Sequence, residues 1–511
     1  MKLNYKRTFF VGCAFFLISL FWQAYDAIIP KILTDKFGMS QFWSGAIMAF
    51  DNILALFMLP LFGSISDKHK GKRGRRTPFI IIGTVLAAVA ILGLSVVDNV
   101  QLSKLDDIAA VTDTESVDYE SAMNVLYDSD VEITIDGEKA PLSSHIEKDD
   151  FLAIKDGTSD EYSDYVVSAR QAYAARVTSL NKWTLFAFIG ILLVTLISMA
   201  TFRSPAVALM PDVTPKPLRS KANAIINLMG AAGGILVLVA GIVFGTGKAK
   251  NALMGYIPFF IVVATLMLVA LAVFICKVKE PKFVEEMHEE SRKYGIEEKD
   301  EDLGGDKKLS RAEFRSLIFI LVSVVCWFMG YNAVTSKYSV YASNVLRLDF
   351  NTTLIIAQAA AIVAFIPVGM LASKIGRKKS ILIGIALLGC SLTAASFVKA
   401  GCSIWVVNIL FSLAGIGWAT INVNSYPMVV EMSKGSNVGK YTGYYYTASM
   451  AAQTVTPMLS GKLLDSIGME VLFPYAAIFV LAAFVTMQFV KHGDSRPPKA
   501  KDKLEAFVDT D

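Results

Sequence analysis

Charged residues are scarce in this chain. Asp, Glu, Lys and Arg make up 18% of its 511 residues, whereas a soluble globular protein has about 25%. Hydrophobic residues reach 54%, and they are concentrated in long runs with few polar interruptions. Because a soluble helix needs a polar face, this pattern argues against a soluble protein and indicates one that lies in a membrane.

Cysteine and the usual signatures of chemistry are also sparse. The chain has five cysteines and four histidines, and they show neither the spacing of a metal site nor a disulfide framework. The sequence contains no phosphate-binding loop and no catalytic triad. We therefore expect no metal, no cofactor and no enzymatic activity. We interpret the cysteines as packing residues in or at the ends of apolar runs: Cys13, Cys276, Cys326, Cys390 and Cys402.

Apolar runs of about twenty residues, the length that crosses ~30 Å of hydrocarbon, are abundant. Twelve can be distinguished, at 9–30, 42–65, 77–97, 183–209, 220–245, 253–276, 315–340, 352–373, 379–398, 403–430, 439–464 and 471–490. The first has no small-residue cleavage site behind it, so we interpret it as a transmembrane helix and not as a signal peptide. The predicted fold class is an all-α membrane protein with twelve transmembrane helices.

Positive charge is concentrated in one hairpin between the second and third runs. Six of the nine residues 68–76 are Lys or Arg, and membrane proteins keep such charge on the cytoplasmic side. The loop 373–379 and the tail 491–511 fit the same arrangement. We therefore predict a multi-pass protein of the plasma membrane with both termini in the cytoplasm. A nucleic-acid-binding patch is the other reading of a basic run, and the flanking apolar runs argue against it.

One polar segment interrupts the helices. Residues 98–181, between the third and fourth runs, hold 19 Asp or Glu and 6 Lys or Arg, and the predicted topology makes them extracellular. Residues 131–142 suggest a short hairpin with an Asp-Gly turn, and residues 163–180 suggest a helix that extends the fourth run outward. Two readings stay open for this acidic insert: a passive insertion, or a role in capturing a partner, the cell wall or the substrate.

A charged linker at 277–314 separates the first six runs from the last six, and the two halves resemble each other. Tyr25 and Asp26 are matched by Tyr331 and Asn332 at an offset of about 305 residues. Asp212 is matched by Glu431 at an offset of only 219 residues. The decrease in the offset is close to the 84 residues of the insert, which is present in the first half alone. The sequence therefore predicts two pseudo-symmetric six-helix bundles, 1–276 and 315–490, with a substrate site between them at the membrane midplane.

The basic hairpin also carries a recognisable motif. "GSISDKHKGKRGRRTPF" resembles the signature of the major facilitator superfamily between its second and third helices. The residues that carry it are Gly63, Asp67, Lys68, Gly74, Arg75 and Arg76. The second half has a partial copy in Gly369, Lys374, Gly376, Arg377 and Lys378, with Ser373 in the acidic position.

This resemblance implies a cytoplasmic gate. In the family the aspartate caps a neighbouring helix and pairs with arginine, and both a helix N-terminus and a guanidinium stabilise a carboxylate. The matched acidic residues Asp212 and Glu431 join the motif at the ends of the fourth and tenth helices. The predicted gate consists of Gly63, Asp67, Lys68, Gly74, Arg75, Arg76, Asp212, Arg377 and Glu431.

A finer resemblance points to the solute. Residues 22–40, 211–230 and 424–465 are similar to the glycoside–pentoside–hexuronide:cation symporters, and most of all to the plant sucrose–proton symporters and their bacterial relatives. The sodium-using melibiose branch has acidic residues where this chain has Ala55 and Leu59, which favours a proton over sodium as the coupling ion. The plant branch also has an arginine where Val207 stands, and Arg203 lies one turn earlier.

Few ionisable residues lie inside the runs, and such residues are expensive in a membrane and usually face a cavity. Asp26, Asp51 and Arg203 are the predicted proton-coupling residues, because a carboxyl group in an apolar site can exchange a proton near neutral pH. The alternative is that either aspartate braces a helix through an arginine or hydroxyl partner.

Polar and aromatic residues in the runs suit a sugar, whose hydroxyl groups bind to amides and whose C–H faces stack on rings. The predicted substrate-binding residues are Trp22, Gln23, Tyr25, Asn52, Asn227, Trp327, Tyr331, Asn332, Gln358, Asn422, Asn424 and Gln453. Taken singly, a residue of this kind is more often a contact between helices than a ligand of the solute.

The sequence thus predicts a monomeric, proton-coupled sugar symporter whose partners are a small sugar and the lipid bilayer. Two other functions remain open at this stage. An exporter of drugs or hydrophobic metabolites would have an apolar cavity in place of one rich in amides. A non-transporting sensor or scaffold that uses the acidic insert would not need carboxylates within the inner helices.

Overall fold

The computed structural model describes residues 3–135, 138–157, 159–215, 218–293, 309–430, 432 and 438–493. In chain order the helices of the first half are α1 (Tyr5–Lys31), α2 (Gln41–Met48), α3 (Phe50–Lys68), α4 (Thr77–Leu102), α5 (Tyr119–Asp128), α6 (Leu142–His145), α7 (Lys148–Ala153), α8 (Ser168–Leu180), α9 (Trp183–Asp212), α10 (Arg219–Phe244) and α11 (Ile257–Lys277). Those that follow are α12 (Glu280–Lys293), α13 (Arg311–Asn344), α14 (Phe350–Ile375), α15 (Arg377–Ala395), α16 (Ile404–Val430), α17 (Val438–Ile467) and α18 (Leu472–Gln488).

The predicted fold class is confirmed, because each of the twelve apolar runs is helical. The second run forms α2 and α3, which are separated by the single residue Ala49. Ten helical segments of the described residues are long and apolar enough to cross a membrane. The other two runs are α14, whose apolar segment Phe350–Phe365 is shorter, and α17.

Local signals in the sequence set where these helices begin and end. Asn4 caps α1 by accepting a hydrogen bond from the backbone N–H of Arg7. Ser310 and Glu313 form a capping box at the start of α13, and α10 ends at Gly245 in the left-handed conformation. Between the ends, large apolar side chains remain exposed on the outer surface, for example Phe57 and Val89, as expected of helices that face lipid.

Each half packs mainly within itself. In the first half α1 packs against α10 and α11, and α4 packs against α9; in the second, α13 packs against α17 and α18, and α15 against α16. Between the halves, α1 packs against α13, α2 against α17, and α10 against α14. Few helices therefore form the interface between the two halves. The polar side chains on these helices determine the chemical character of the interface.

The acidic insert is a small folded unit. Its predicted hairpin is confirmed as an antiparallel pair of strands, β1 (Glu132–Ile135) and β2 (Glu138–Pro141), and its turn residues lie outside the described residues. Its helices surround a core of its own that also includes Leu253 from the first half. We call the end of the helix bundle that carries the insert the insert side, and the end that carries residues 69–76 the hairpin side.

The expectation that the insert's last helix extends the fourth run is wrong. That helix, α8, ends at Leu180, and Asn181 and Lys182 separate it from α9. Instead α8 lies across the turn that follows α1, where Gly38 has a φ of +62°. A Cβ atom on Gly38 would lie 2.1 Å from the backbone nitrogen of Ala175, so only glycine allows this close approach.

Candidate functional site

A cavity of about 220 Å³ lies between the two halves, because residues of both line it. Seven of the predicted coupling and substrate-binding residues meet there. The lining consists of Trp22, Asp26, Met48, Asp51, Asn52, Arg203, Asn332, Thr335, Ser336, Gln453 and Pro457. The structure therefore brings Asp26 and its pseudo-symmetric partner Asn332 to one site.

The two carboxylates in the cavity have different surroundings. Asp51 Oδ1 accepts hydrogen bonds from the backbone N–H and the side-chain Nδ2 of Asn52, at 2.6 and 2.7 Å. Asp26 accepts no hydrogen bond from the described residues, and its side chain is accessible to solvent. Asp51 is thus bonded to its neighbour, while the Asp26 carboxylate is exposed to the cavity.

Arg203 supplies the positive charge of this site. Its guanidinium carbon lies 5.4 Å from the centre of the Trp22 ring, within the range of a cation–π contact. Arg203 lines the same cavity as the two carboxylates, Asp26 and Asp51. With all three groups charged, the cavity carries one net negative charge.

Two prolines lie one helical turn after residues that line the cavity. Pro30 lies four residues after Asp26 in α1, and Pro457 lies four residues after Gln453 in α17. Because proline has no N–H, the carbonyl groups of Asp26 and Gln453 lack their donors within the helix. The regular hydrogen bonding of α1 and α17 is therefore interrupted beside two residues that line the cavity.

The remaining predicted substrate-binding residues do not line the cavity. Gln358 Nε2 donates to Gln23 Oε1 at 2.5 Å and so links α14 to α1 across the interface. The Tyr331 ring stacks on Trp418, with 3.6 Å between centroids and 2° between planes. The others lie in helices away from the cavity lining: Tyr25, Trp327 and Asn424 are buried, and Asn227 and Asn422 are half-buried. Of these, Asn424 donates to the Thr420 carbonyl of its own helix.

Several cavity residues were not predicted. Thr335 and Ser336 lie three and four residues after Asn332 in α13, so the helical period alone places them on the same face. Met48 and Pro457 join them from α2 and α17. Trp418, the partner of Tyr331, had no detectable signal, since its position in α16 follows from packing between distant helices.

On the hairpin side, the motif residues form an ion-pair cluster. Asp212 accepts hydrogen bonds from Arg75 Nη2 at 2.6 Å and from Arg76 Nε at 2.9 Å. Arg76 also pairs with Asp67 and donates to Ser66 Oγ at 2.5 Å. This cluster ties the ends of α3, α4 and α9 together within the first half.

The carboxylate that caps α4 is Glu280, a residue of the linker. The capping of a neighbouring helix by Asp67, which the resemblance implied, stays a prediction. Glu280 is 1% exposed and accepts from the backbone N–H groups of Arg75, Arg76 and Thr77 and from the Thr77 hydroxyl. Gly74 has a φ of +102°, and a Cβ atom there would lie 2.3 Å from the Glu280 carboxyl group. The linker residue Glu280 thus completes the hairpin that the motif begins.

Replacing Glu280 by Gln is expected to lower the free energy of unfolding by about 2 kcal/mol, since it removes a negative charge from a helix N-terminus. The unfolding midpoint in detergent, followed by tryptophan fluorescence, measures the effect. Glu285→Gln is the matched control, because Glu285 is exposed on the same helix, α12. Equal midpoints for the two variants would show that Glu280 contributes no more than a surface carboxylate.

Three other predicted gate residues have different positions. Lys68 is exposed at the end of α3. Arg377 is buried at the start of α15. Glu431 lies outside the described residues, so the predicted pairing of the second half's motif stays a prediction.

Direct contacts between the halves close the insert side. Lys31 Nζ donates to Ser343 Oγ at 2.7 Å, and Lys337 Nζ donates to the Gln41 carbonyl at 2.6 Å. Both lysines are fully buried. They are also pseudo-symmetric, because 306 residues separate them, as they separate Tyr25 from Tyr331. Each half therefore contributes one buried lysine that donates a hydrogen bond to the other half.

The contact between α2 and α17 is as close. The Asp465 carboxylate accepts from the backbone N–H groups of Gln41 and Phe42, at 2.6 and 2.8 Å, and so caps α2 from the other half. A Cβ atom on Gly45 would lie 2.0 Å from the Pro457 carbonyl oxygen. The two halves are therefore in direct contact on the insert side of the cavity.

Comparison with known proteins places the chain in context. The Major Facilitator Superfamily model matches residues 172–366 and 349–509, and the MFS/sugar transport protein model matches residues 10–110. The inward-open xylose transporter of E. coli is similar in structure, with a TM-score of 0.56, 14% sequence identity and 98% of each chain covered. At that identity the likeness shows the fold alone.

Two curated proteins are similar in sequence. Proton-associated sugar transporter A of Homo sapiens is 32% identical over 96 residues, which are 19% of this chain and 12% of that protein. An uncharacterized MFS-type transporter of Methanocaldococcus jannaschii is 23% identical over 194 residues, which are 37% of this chain and 49% of that protein. The matched regions thus span about half or less of the length of these relatives.

Proposed function

The chain belongs to the major facilitator superfamily, and on that premise we propose that it is a secondary transporter that carries a sugar together with a proton by alternating access. The hairpin side is the cytoplasmic side of the plasma membrane in this proposal, by the positive-inside rule. The solute is a disaccharide or another glycoside, as the resemblance to the symporter branch suggests.

The observation that carries the proposal is the composition of the cavity. It combines two carboxylates and a guanidinium with amide and hydroxyl groups from both halves. An exporter of hydrophobic compounds would have an apolar lining, so the lining favours a polar solute. Asn332, Thr335, Ser336 and Gln453 offer hydrogen-bonding groups to sugar hydroxyls, and Trp22 offers an aromatic face.

Charge balance couples the proton to the sugar. When Asp26 is protonated, the cavity holds the Asp51 carboxylate and the Arg203 guanidinium and is neutral overall. When Asp26 is ionised, the cavity carries a net negative charge, which is expensive to seal away from water. With sugar bound and water displaced, the cavity therefore closes readily only with a proton on Asp26. The proton leaves after the other side opens, and the empty cavity, in which water hydrates the Asp26 carboxylate, can return with Asp26 ionised.

The direct test is the external pH of a weakly buffered suspension of cells that express the protein. Pulses of sucrose, maltose, melibiose and lactose are added in turn, with vector-only cells as the control. The proposal predicts that the medium becomes more alkaline with at least one sugar. No response to any of them, with the protein shown to be in the membrane, would contradict disaccharide–proton symport for these sugars.

Replacing Gln453 by Ala is expected to raise the KM for the transported sugar about tenfold, because it removes hydrogen bonds to sugar hydroxyls worth about 1.4 kcal/mol. Initial uptake rates over a range of sugar concentrations measure it. Gln488→Ala is the matched control, since Gln488 is exposed at the end of α18. An unchanged KM in Gln453→Ala would remove this residue from the sugar site.

A further inference from the structure

The insert is fastened to the first half by its packing. Its core includes Leu253, and Thr112 Oγ1 donates to the Lys250 carbonyl at 2.9 Å. Gln101 Nε2 of α4 donates to Thr178 Oγ1 of α8 at 3.0 Å. The backbone of α8 also packs closely against the turn at Gly38. The insert therefore moves with the first half when the two halves separate.

Its contact with the second half is polar and centres on Asp35, at the end of the turn after α1. Asp35 Oδ1 accepts from Arg170 Nη2 at 3.0 Å and from Gln171 Nε2 at 3.2 Å, both on α8. It also accepts from Asn344 Nδ2, at the end of α13, at 2.9 Å. Arg170 Nη2 in turn donates to Asn344 Oδ1 at 3.2 Å. One residue from each half and two from the insert thus share a single junction.

A second contact lies beside this junction. The Arg347 guanidinium carbon, in the loop between α13 and α14, lies 4.4 Å from the centre of the Tyr162 ring in the insert. Ser163 Oγ donates to the Asn344 carbonyl at 3.4 Å. The surface that the insert presents to the second half is therefore made of groups that water can solvate when the surfaces part.

We propose that residues 162–180 are a lid, carried by the first half, which closes the insert side by docking on Asn344 and Arg347 of the second half. The proposal rests on alternating access, as proposed above, and not on the identity of the solute. When the halves separate, the lid keeps its bonds to Asp35 and loses those to Asn344 and Arg347.

The junction is built to open reversibly. Asp35, Arg170 and Asn344 are buried, at 0, 0 and 3% exposure. Asp35 Oδ2 and the Nε and Nη1 atoms of Arg170 have no hydrogen-bond partner among the described residues. When the halves separate, these atoms can form hydrogen bonds to water. Those bonds offset part of the free energy that is lost with the Asn344 bonds. Asn344 therefore sets the balance between the closed and open lid.

The test replaces Asn344 by Leu and measures how fast a cavity cysteine reacts from outside. The reporter is Ser336→Cys in a background without the five native cysteines, and the probe is a membrane-impermeant maleimide added to intact cells without sugar. Asn344→Leu removes two hydrogen bonds to charged groups that exist only with the lid closed, while Asp35 keeps both donors from α8. We expect the labelling rate to rise at least about tenfold.

Three further variants make the result decisive. Asn124→Leu also replaces an asparagine by leucine, but in the insert and away from the second half. The labelling rate of the cavity cysteine in this variant is expected to match that of the parent. Arg347→Gly removes the second contact, and glycine suits the backbone there, where φ is +57°; its rate is expected to rise like that of Asn344→Leu. Val117→Cys, at 99% exposure in the insert, should label at once and thereby confirms that the insert faces outward.

An equal rate in the parent, Asn344→Leu and Arg347→Gly would overturn the lid. So would an equal rise in Asn124→Leu, which would point to general loosening of the insert. Because no sugar is present, either failure leaves the proposed sugar and proton unaffected. Conversely, a transporter that fails the sugar test can still show the lid.

Discussion

Replacing Asp26 by Asn is expected to abolish uphill accumulation of sugar while leaving sugar exchange across the membrane intact. Asparagine has the shape of a protonated aspartic acid and cannot release a proton. One proton that moves down a potential of ~150 mV supplies roughly 3.5 kcal/mol, which supports a sugar gradient of several hundredfold. In Asp26→Asn that gradient is expected to fall to about onefold. Steady-state accumulation and exchange of labelled sugar in energised cells measure the two effects.

Asp51→Asn is the matched control, because Asp51 lies in the same cavity but is bonded to Asn52. It is expected to keep accumulation, at a reduced rate. Loss of accumulation in Asp51→Asn alone would assign the proton to Asp51. Retained accumulation in both single variants would remove the carboxylates of this cavity from coupling.

Replacing Arg203 by Gln is expected to lower the rate of sugar uptake at least about a hundredfold. Arg203 is the positive group of the cavity, and without it the Asp51 carboxylate is left uncompensated when the loaded cavity, with Asp26 protonated, closes. An uncompensated charge left in such a site costs about 3 kcal/mol or more, which corresponds to a factor of about a hundred or more. The Trp22 ring also loses the cation that lies against it. Initial uptake rates, normalised to the amount of protein in the membrane, provide the measurement.

A double variant separates charge balance from shape. The double variant Asp51→Asn, Arg203→Gln lacks one negative charge as well as the positive charge. We expect its uptake rate to be at least tenfold higher than that of Arg203→Gln. Arg203→Lys keeps the positive charge, and its uptake rate is expected to lie between those of the wild type and Arg203→Gln. A double variant as slow as Arg203→Gln would show that Arg203 acts through its packing and not through its charge.

The sequence predicts much of the fold because a membrane permits few arrangements. Apolar runs long enough to span it become helices, as α1 and α11 do. The internal repeat, seen in Tyr25 and Tyr331, predicted the two matching halves. The rarity of charge inside the runs singled out Asp26, Asp51 and Arg203 as candidates, and the structure places all three at one cavity.

Features that depend on contacts between distant segments were not predictable. Glu280 caps α4 from about 200 residues away, and nothing near it in the sequence signals that role. Trp418 and Tyr331 stack because α16 and α13 approach each other, which no periodicity encodes. The position of α8 depends on Gly38 and Arg170, whose partners are known only once the insert is folded.

The insert and the hairpin mark the two ends of the proposed transport path. On the hairpin side Asp212 binds two arginines within the first half. On the insert side Lys31 and Lys337 bind across the halves. Closure of the insert side therefore has to be undone before a solute can enter from there.

The central claim, proton-driven sugar transport, is tested most directly in proteoliposomes that contain only this protein. An inside-alkaline pH gradient is imposed, and the internal concentration of the labelled sugar identified in cells is followed against the external one. The account predicts that the sugar rises well above its external concentration and returns to it when a protonophore is added. Equilibration to the same level with and without the gradient would contradict it.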